Sequence, residues 1–309
     1  MALVPIFFVL LLGYAAGKIR IVDNHHVDGL NALVMDFALP ASLFAATASA
    51  PRSEMVAQGP LFVVFGLTML ILFAVWFWGV RSVFNVTKSD ASLQALTISF
   101  PNLAGVGLPI VASVLGPKGA VPVAVALAAG SILISPLSLI IVEISTNKDR
   151  GVEMSVRQIA GAVGRAITKP VILAPALGIL LSLSGFELNA LAHGCLTLIG
   201  SAAAGVALFV TGLVLSAQSF RLDWKVVAAT AASDIMRPLL AAAIVYLCPI
   251  SPEAAKTVIL LAAVPSGFFG ILFAVNYRLD SATTGSMVIA STVFSIATLA
   301  TAILVLFPH

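Results

Sequence analysis

Asp234 and Arg237 lie about ten and thirteen residues into an apolar run from 224 to 248, close to the middle of a bilayer that such a run would span. An unpaired charge at that depth costs several kcal/mol or more, so both must face protein or a watery cavity. Their i, i+3 spacing puts them on one helical face, which admits an internal salt bridge. It equally admits Arg237 as the counter-charge for an anionic substrate, since its planar fork suits a carboxylate and stays charged. Asp234 then holds Arg237 in the empty state or takes up a coupling proton. Asp36, about eight residues inside another apolar run and shortly before Pro40, is a proton or cation ligand or else a hydrogen-bonded structural carboxyl. Asn31, Ser42 and Thr47 share that run and are placed to line the same cavity.

Two proline-centred segments offer a different chemistry. Phe100-Pro101-Asn102-Leu103-Ala104-Gly105-Val106-Gly107-Leu108-Pro109 and Val264-Pro265-Ser266-Gly267-Phe268-Phe269-Gly270 interrupt long apolar stretches at matching places in the two halves. Bilayer hydrocarbon cannot satisfy loose backbone groups, so a helix breaks at that depth only where protein, ions or substrate replace the lost bonds. Paired breaks are a sequence pointer to the binding site of a secondary carrier. Pro101 and Pro265 lack an amide hydrogen, Pro109 repeats the interruption, and Gly105, Gly107, Gly267 and Gly270 permit close approach or unusual dihedrals. These features predict exposed amides at helix starts, suited to an anion. Asn102 adds two uncharged donors, and Ser266, its match at an offset of 164, adds a hydroxyl. The predicted substrate contacts are therefore Pro101, Asn102, Gly105, Gly107, Ser266, Gly267, Arg237 and a pocket wall at Phe268, with Asp36 and Asp234 as coupling or structural groups. Against this stands a plainer reading, in which Pro and Gly only kink packed helices and the phenylalanines only pack.

These residues need membrane helices to hold them. The chain of 309 residues is 60% hydrophobic and 9% charged, with a mean hydropathy of +1.11, far from the roughly 25% charged content of soluble domains. The net charge of +3 resides mostly in loops, which argues for membrane orientation and against nucleic-acid binding. Cys195 and Cys248 read as small hydrophobes. His25 and His26, beside Asp23 and Asp28, lack the spacing of a metal site, so no metal or cofactor is expected. No G-x-x-x-x-G-K-[ST], H-E-x-x-H or paired catalytic residues occur, which disfavours an ATPase or an intramembrane enzyme. The first apolar run lacks a basic start and reads as a retained helix.

Runs long enough to span fall at about 2–17, 28–48, 59–80, 91–115, 120–143, 167–183, 188–216, 224–248, 254–276 and 283–307. Of the 16 Lys and Arg residues, only Arg52, Lys118 and Lys256 fall on one side and Arg237 within a span; the rest share the opposite loops. The positive-inside rule then places both termini outside. At an offset of 164 to 165, Pro5 meets Pro170, Gly13 meets Gly178, Leu43-Phe44 meets Leu208-Phe209 and Pro101 meets Pro265. The expected fold is an all-α membrane protein of ten helices in two inverted five-helix repeats, residues 1–144 and 167–309. A cytoplasmic linker at 145–166 has room for a short surface helix.

The opening from Pro5 to Lys18, the segment Val34-Met35-Asp36-Phe37-Ala38-Leu39-Pro40-Ala41, and both breaks resemble the auxin efflux carrier family, notably its bacterial malonate-transporter members. The resemblance covers essentially the whole chain. It implies that helices 4 and 9 cross at their breaks, with Asn102 implicated in carboxylate recognition. It further implies a transport domain of helices 3–5 and 8–10, a scaffold of helices 1, 2, 6 and 7, and a homodimer. This chain departs from relatives in having Ser233 where a lysine is common. The function expected is secondary transport of a small carboxylate, malonate above all, across a bacterial inner membrane, with H+ or Na+ as a coupling ion. The alternatives are a carrier of another organic anion, an amino acid or a sodium/proton-coupled solute, or a passive channel.

Overall fold

The computed structural model describes residues 3–24, 27–149, 160–161, 164, 168–217, 220–277 and 279–308. His25, His26 and most of the expected linker, with its surface helix, lie outside the described residues. The described chain is helical: α1 (Leu3–Lys18), α2 (Asp28–Ala48), α3 (Gly59–Phe84), α4 (Lys88–Ser99), α5 (Leu103–Leu115), α6 (Ala120–Thr146), α7 (Pro170–Ser184), α8 (Ala190–Ala217), α9 (Trp224–Leu247), α10 (Pro252–Ala262), α11 (Phe269–Asn276) and α12 (Ala282–Leu306). Among the described residues six helices are long and apolar enough to cross a membrane. The only β-type pairing among them is an isolated antiparallel bridge between Pro101 and Ser266.

Local chemistry starts several of these helices. Thr87, Asn189, Asp223 and Ser251 each accept a bond from an amide of the first turn, as N-cap side chains do. Inside α2, α5, α6 and α9 a π-helical turn occupies Leu33–Ala38, Leu103–Gly107, Gly130–Ile134 and Ala232–Met236. Each is followed two residues later by a proline: Pro40, Pro109, Pro136 and Pro238. A proline interrupts the α ladder by withholding a donor and crowding the carbonyl four residues back, and a wider turn relieves that crowding.

Helices then approach closely at small residues, as membrane helices do. A methyl on Gly13 of α1 would strike the Phe209 carbonyl of α8, and one on Gly178 of α7 would meet Thr47 and the Phe44 carbonyl of α2. Gly200 of α8 rests on the Ser42 backbone of α2. Thr47 and Ser42, expected to line a cavity, instead serve these contacts. In α4 every residue from Ala91 to Ser99 is buried. Its Ser92 hydroxyl lies 3.0 Å from that of Ser138 on α6, and each is within 3.2 Å of the other's carbonyl.

Candidate functional site where two broken segments meet

The break after α4 begins at Phe100, whose backbone is extended at φ −100°, ψ 99°. Pro101 follows, then Asn102, and helical structure resumes in the π turn at Leu103. In the second half α10 stops at Ala262 and α11 starts at Phe269. The two openings run antiparallel against each other. The Asn102 amide donates to the Pro265 carbonyl at 2.8 Å, and the Gly267 amide donates to Phe100 at 3.0 Å and Thr97 at 3.1 Å. A Cβ on Gly267 would collide with the Phe100 carbonyl, which is why glycine is required there. Thus both interruptions expected from Pro101 and Pro265 are present.

The expected open amides are largely engaged. Besides Asn102 and Gly267, the Ser266 amide donates to the Ser291 hydroxyl at 2.8 Å, and the Gly105 amide donates to the Asn102 side-chain oxygen at 3.0 Å. The Val106 and Gly107 amides both reach the Asn102 carbonyl. The prolines remove two donors, and each segment fills the gaps of the other. Pro109 does not open a second gap, because it stands inside α5, where the π turn before it keeps the helix running. Gly270 is also not a break: it lies inside α11, where a methyl would strike the Thr97 hydroxyl and come within 2.7 Å of the Leu93 carbonyl of α4.

Arg237 and Asp234 sit behind this junction. The Arg237 side chain is 0% exposed. Its Nε donates to the Ala262 carbonyl at 2.8 Å, while its two terminal nitrogens donate to the Ile98 and Val264 carbonyls. One guanidinium therefore caps the C-terminal ends of both α4 and α10, where carbonyls are unpaired and the helix dipole is negative. Asp234 Oδ1 accepts from Ser233 at 2.8 Å and from Ser291 at 2.6 Å. Ser291 thus accepts from the Ser266 amide and donates to Asp234, linking α12, α9 and the second break. The other carboxylate oxygen, Asp234 Oδ2, is buried without a partner, as are the Ser266 and Ser99 hydroxyls.

Beside the junction opens a cavity of about 690 Å³. Asp36 and Asn31 line it from α2, Ser131 and Ser135 from the π turn of α6 and its end, Lys169 from the start of α7, and Phe269 and Phe273 from α11. Asp28 and Asp280 complete its polar wall. Phe269, not Phe268, is the ring on the cavity. It stacks on Phe100 at 5.1 Å and on Phe268 at 5.4 Å, so aromatic rings connect the cavity wall to the first break. Asn102, Ser266 and Arg237 lie outside the cavity lining, and the sequence reading had missed Lys169, Ser131 and Ser135. The signals for them are modest: Lys169 precedes the Pro170 that starts α7, Ser131 lies within the π turn ahead of Pro136, and Ser135 follows it.

Long apolar helices around a polar cavity, with two backbone interruptions sealed against each other, define an integral membrane transport protein. A family model described as membrane transport protein matches residues 1–303, and the chain belongs to that family, the auxin efflux carriers. It is 27% identical to "Uncharacterized transporter YfdV" of Escherichia coli (strain K12) over 281 residues, 91% of this chain and 89% of the relative. It is 22% identical to a protein of Rhizobium meliloti (strain 1021) named "Putative malonate transporter", over 303 residues, 95% of this chain and 91% of the relative. It is a transporter rather than an enzyme, with a small molecule as its substrate.

Proposed function

We propose that this protein is a secondary carrier of a small carboxylate, with malonate the leading candidate, in a bacterial cytoplasmic membrane. The observation that carries the reading is the junction of the two breaks, held by the Asn102–Pro265 and Gly267–Phe100 bonds beside a polar cavity. Counting α4 with α5 and α10 with α11 gives ten spans, in two inverted repeats of five. Contacts that exchange between the halves support this. Gly13 meets Phe209 and Gly178 meets Phe44, and each residue has its counterpart 165 positions away. Such symmetry suits alternating access, with α1, α2, α7 and α8 as a scaffold, through which two copies pair, and the rest as the moving domain. Both termini lie outside, and the basic loops face the cytoplasm.

Within this reading Arg237 acts as a positioning residue that fixes the junction rather than as the substrate's partner. Asn102 orients the first break through its Gly105 bond, and Asp36 faces the solute in the cavity. The carboxylates Asp28, Asp36 and Asp280 in the wall favour a second reading, a carrier whose cargo is a cation. Counterflow in proteoliposomes separates the two. Saturable exchange of labelled malonate, competed by other dicarboxylates, is expected; competition by cations alone supports the rival. Flux without counterflow marks a channel.

A further inference from the structure

The cavity beside the junction carries its charges unevenly. Among the described residues lining it Lys169 alone is basic, while Asp28, Asp36 and Asp280 supply three carboxylates. The ammonium nitrogen of Lys169 lies 5.0 Å from the centroid of the Phe273 ring on α11. A cation–π contact of this kind engages the charge and leaves N–H donors for an occupant. Lys169 is also the N-cap of α7, a helix of 15 residues whose first turn has no side-chain cap. That turn reaches the cavity through Val171 and Ile172, so the positive helix end adds to the ammonium. Ser131 and Ser135 of α6 line the same space, 1% and 3% exposed, and their hydroxyls donate to none of the described residues. The α2 wall is made of acceptors instead. There the Asn31 side-chain oxygen is buried without a partner, next in sequence to the carboxylates of Asp28 and Asp36.

We infer that the substrate is a small carboxylate whose far end is a hydrogen-bond donor rather than a second negative charge. Its carboxylate sits on Lys169 with the Ser131 and Ser135 hydroxyls, and its donor reaches the Asn31 oxygen and the acidic wall. This deepens the carboxylate reading given above and rests on it. A dianion sets its second charge among three carboxylates when the one ammonium is already engaged, and like charges in a partly apolar space repel. A neutral or positive donor meets no such repulsion. It also gives the buried Asn31 oxygen the partner it lacks, which removes the cost of an unsatisfied acceptor. The class comprises hydroxy acids, half-amides, zwitterionic amino acids and a dicarboxylate that has kept one proton, the form in which malonate fits. The acidic wall and the basic Lys169 thus read opposite ends of one solute.

The test is equilibrium binding to the purified full-length protein at about pH 8, where free carboxyl groups are ionised. The probes are malonate, malonamate, β-alanine and monomethyl malonate, which are similar in length and differ in what they carry opposite the carboxylate. Malonamate or β-alanine is expected to bind about tenfold or more tightly than malonate. Monomethyl malonate, singly charged but without a donor, is expected to bind about threefold to tenfold more weakly than malonamate. Lys169→Gln lowers the affinity for every probe about tenfold or more, as loss of a charged hydrogen-bond partner does. Asp36→Asn narrows the gap between malonate and malonamate, a change of charge preference that general damage to the fold does not produce. Thermal unfolding establishes that each variant is folded, and the comparison of probes on the wild type needs no variant. Malonate binding as tightly as malonamate and β-alanine overturns the inference, as does an ester that equals the amide or wild-type affinity from Lys169→Gln. Binding of none of the four probes removes the carboxylate reading itself, and this inference with it.

Discussion

Arg237 shows what a single buried side chain can fix. Its guanidinium meets carbonyls from α4 and from the end of α10, so the fork geometry, not only the charge, sets how the two breaks face each other. Replacing it by Ala leaves those carbonyls buried and unpaired, at roughly 1–3 kcal/mol each. Arg237→Ala is expected to lower the unfolding temperature in detergent sharply, and Arg237→Lys to recover only part of the loss. Ser291→Ala, which strands the Ser266 amide and one oxygen contact of Asp234, is expected to cost about 1–3 kcal/mol. An unchanged melting curve for Arg237→Ala would disprove its bracing role. The depth of Arg237 and Asp234 is legible in the sequence because charge inside an apolar run is conspicuous. Their partners are not, since Ile98 lies 139 residues from Arg237 and contributes a carbonyl, which has no residue-type signature.

At the level of elements, prolines mark where a helix is disturbed but not how it recovers. Pro101 and Pro265 stand in true gaps, and both gaps are foreseeable from a missing donor at membrane depth. Pro40, Pro109, Pro136 and Pro238 look the same in sequence, yet each follows a π turn that keeps its helix running. The difference lies in packing around the turn, which a local reading cannot supply. The same holds for Gly270, whose place against Thr97 of α4 depends on a partner far along the chain. Gly270→Ala and Gly267→Ala are accordingly expected to destabilise the protein by about 1–3 kcal/mol, the usual scale for overpacking. Gly79→Ala in α3, where a methyl would meet nothing within 4 Å, is the matched control and is expected to be neutral or slightly stabilising. Equal melting temperatures for all three variants would mean that the junction tolerates separation of α4 and α11.

For the whole molecule, the reciprocal contacts of the two halves carry a prediction about motion. If the halves are inverted copies, the structure has a counterpart in which the cavity closes at the Asn24, Lys169 and Asp280 end and an equivalent space opens at the other. On the proposed orientation, with the basic loops in the cytoplasm, the present opening is on the cytoplasmic side. Ser135 lines this cavity from α6, so a cysteine there reports its accessibility once the native Cys195 and Cys248 are replaced by Ser. A membrane-impermeant thiol reagent is expected to label Ser135→Cys in inverted vesicles and to leave right-side-out vesicles largely unlabelled. Substrate that moves the carrier between its two states is expected to slow that labelling, whereas a static pore would leave the rate unchanged. Labelling confined to right-side-out vesicles would reverse the orientation, and equal labelling from both sides would argue for a continuous pathway rather than two alternating ones. The first outcome is the one expected on the proposed scaffold, because close backbone approach at Gly13 and Phe209 and at Gly178 and Phe44 ties α1 to α8 and α2 to α7.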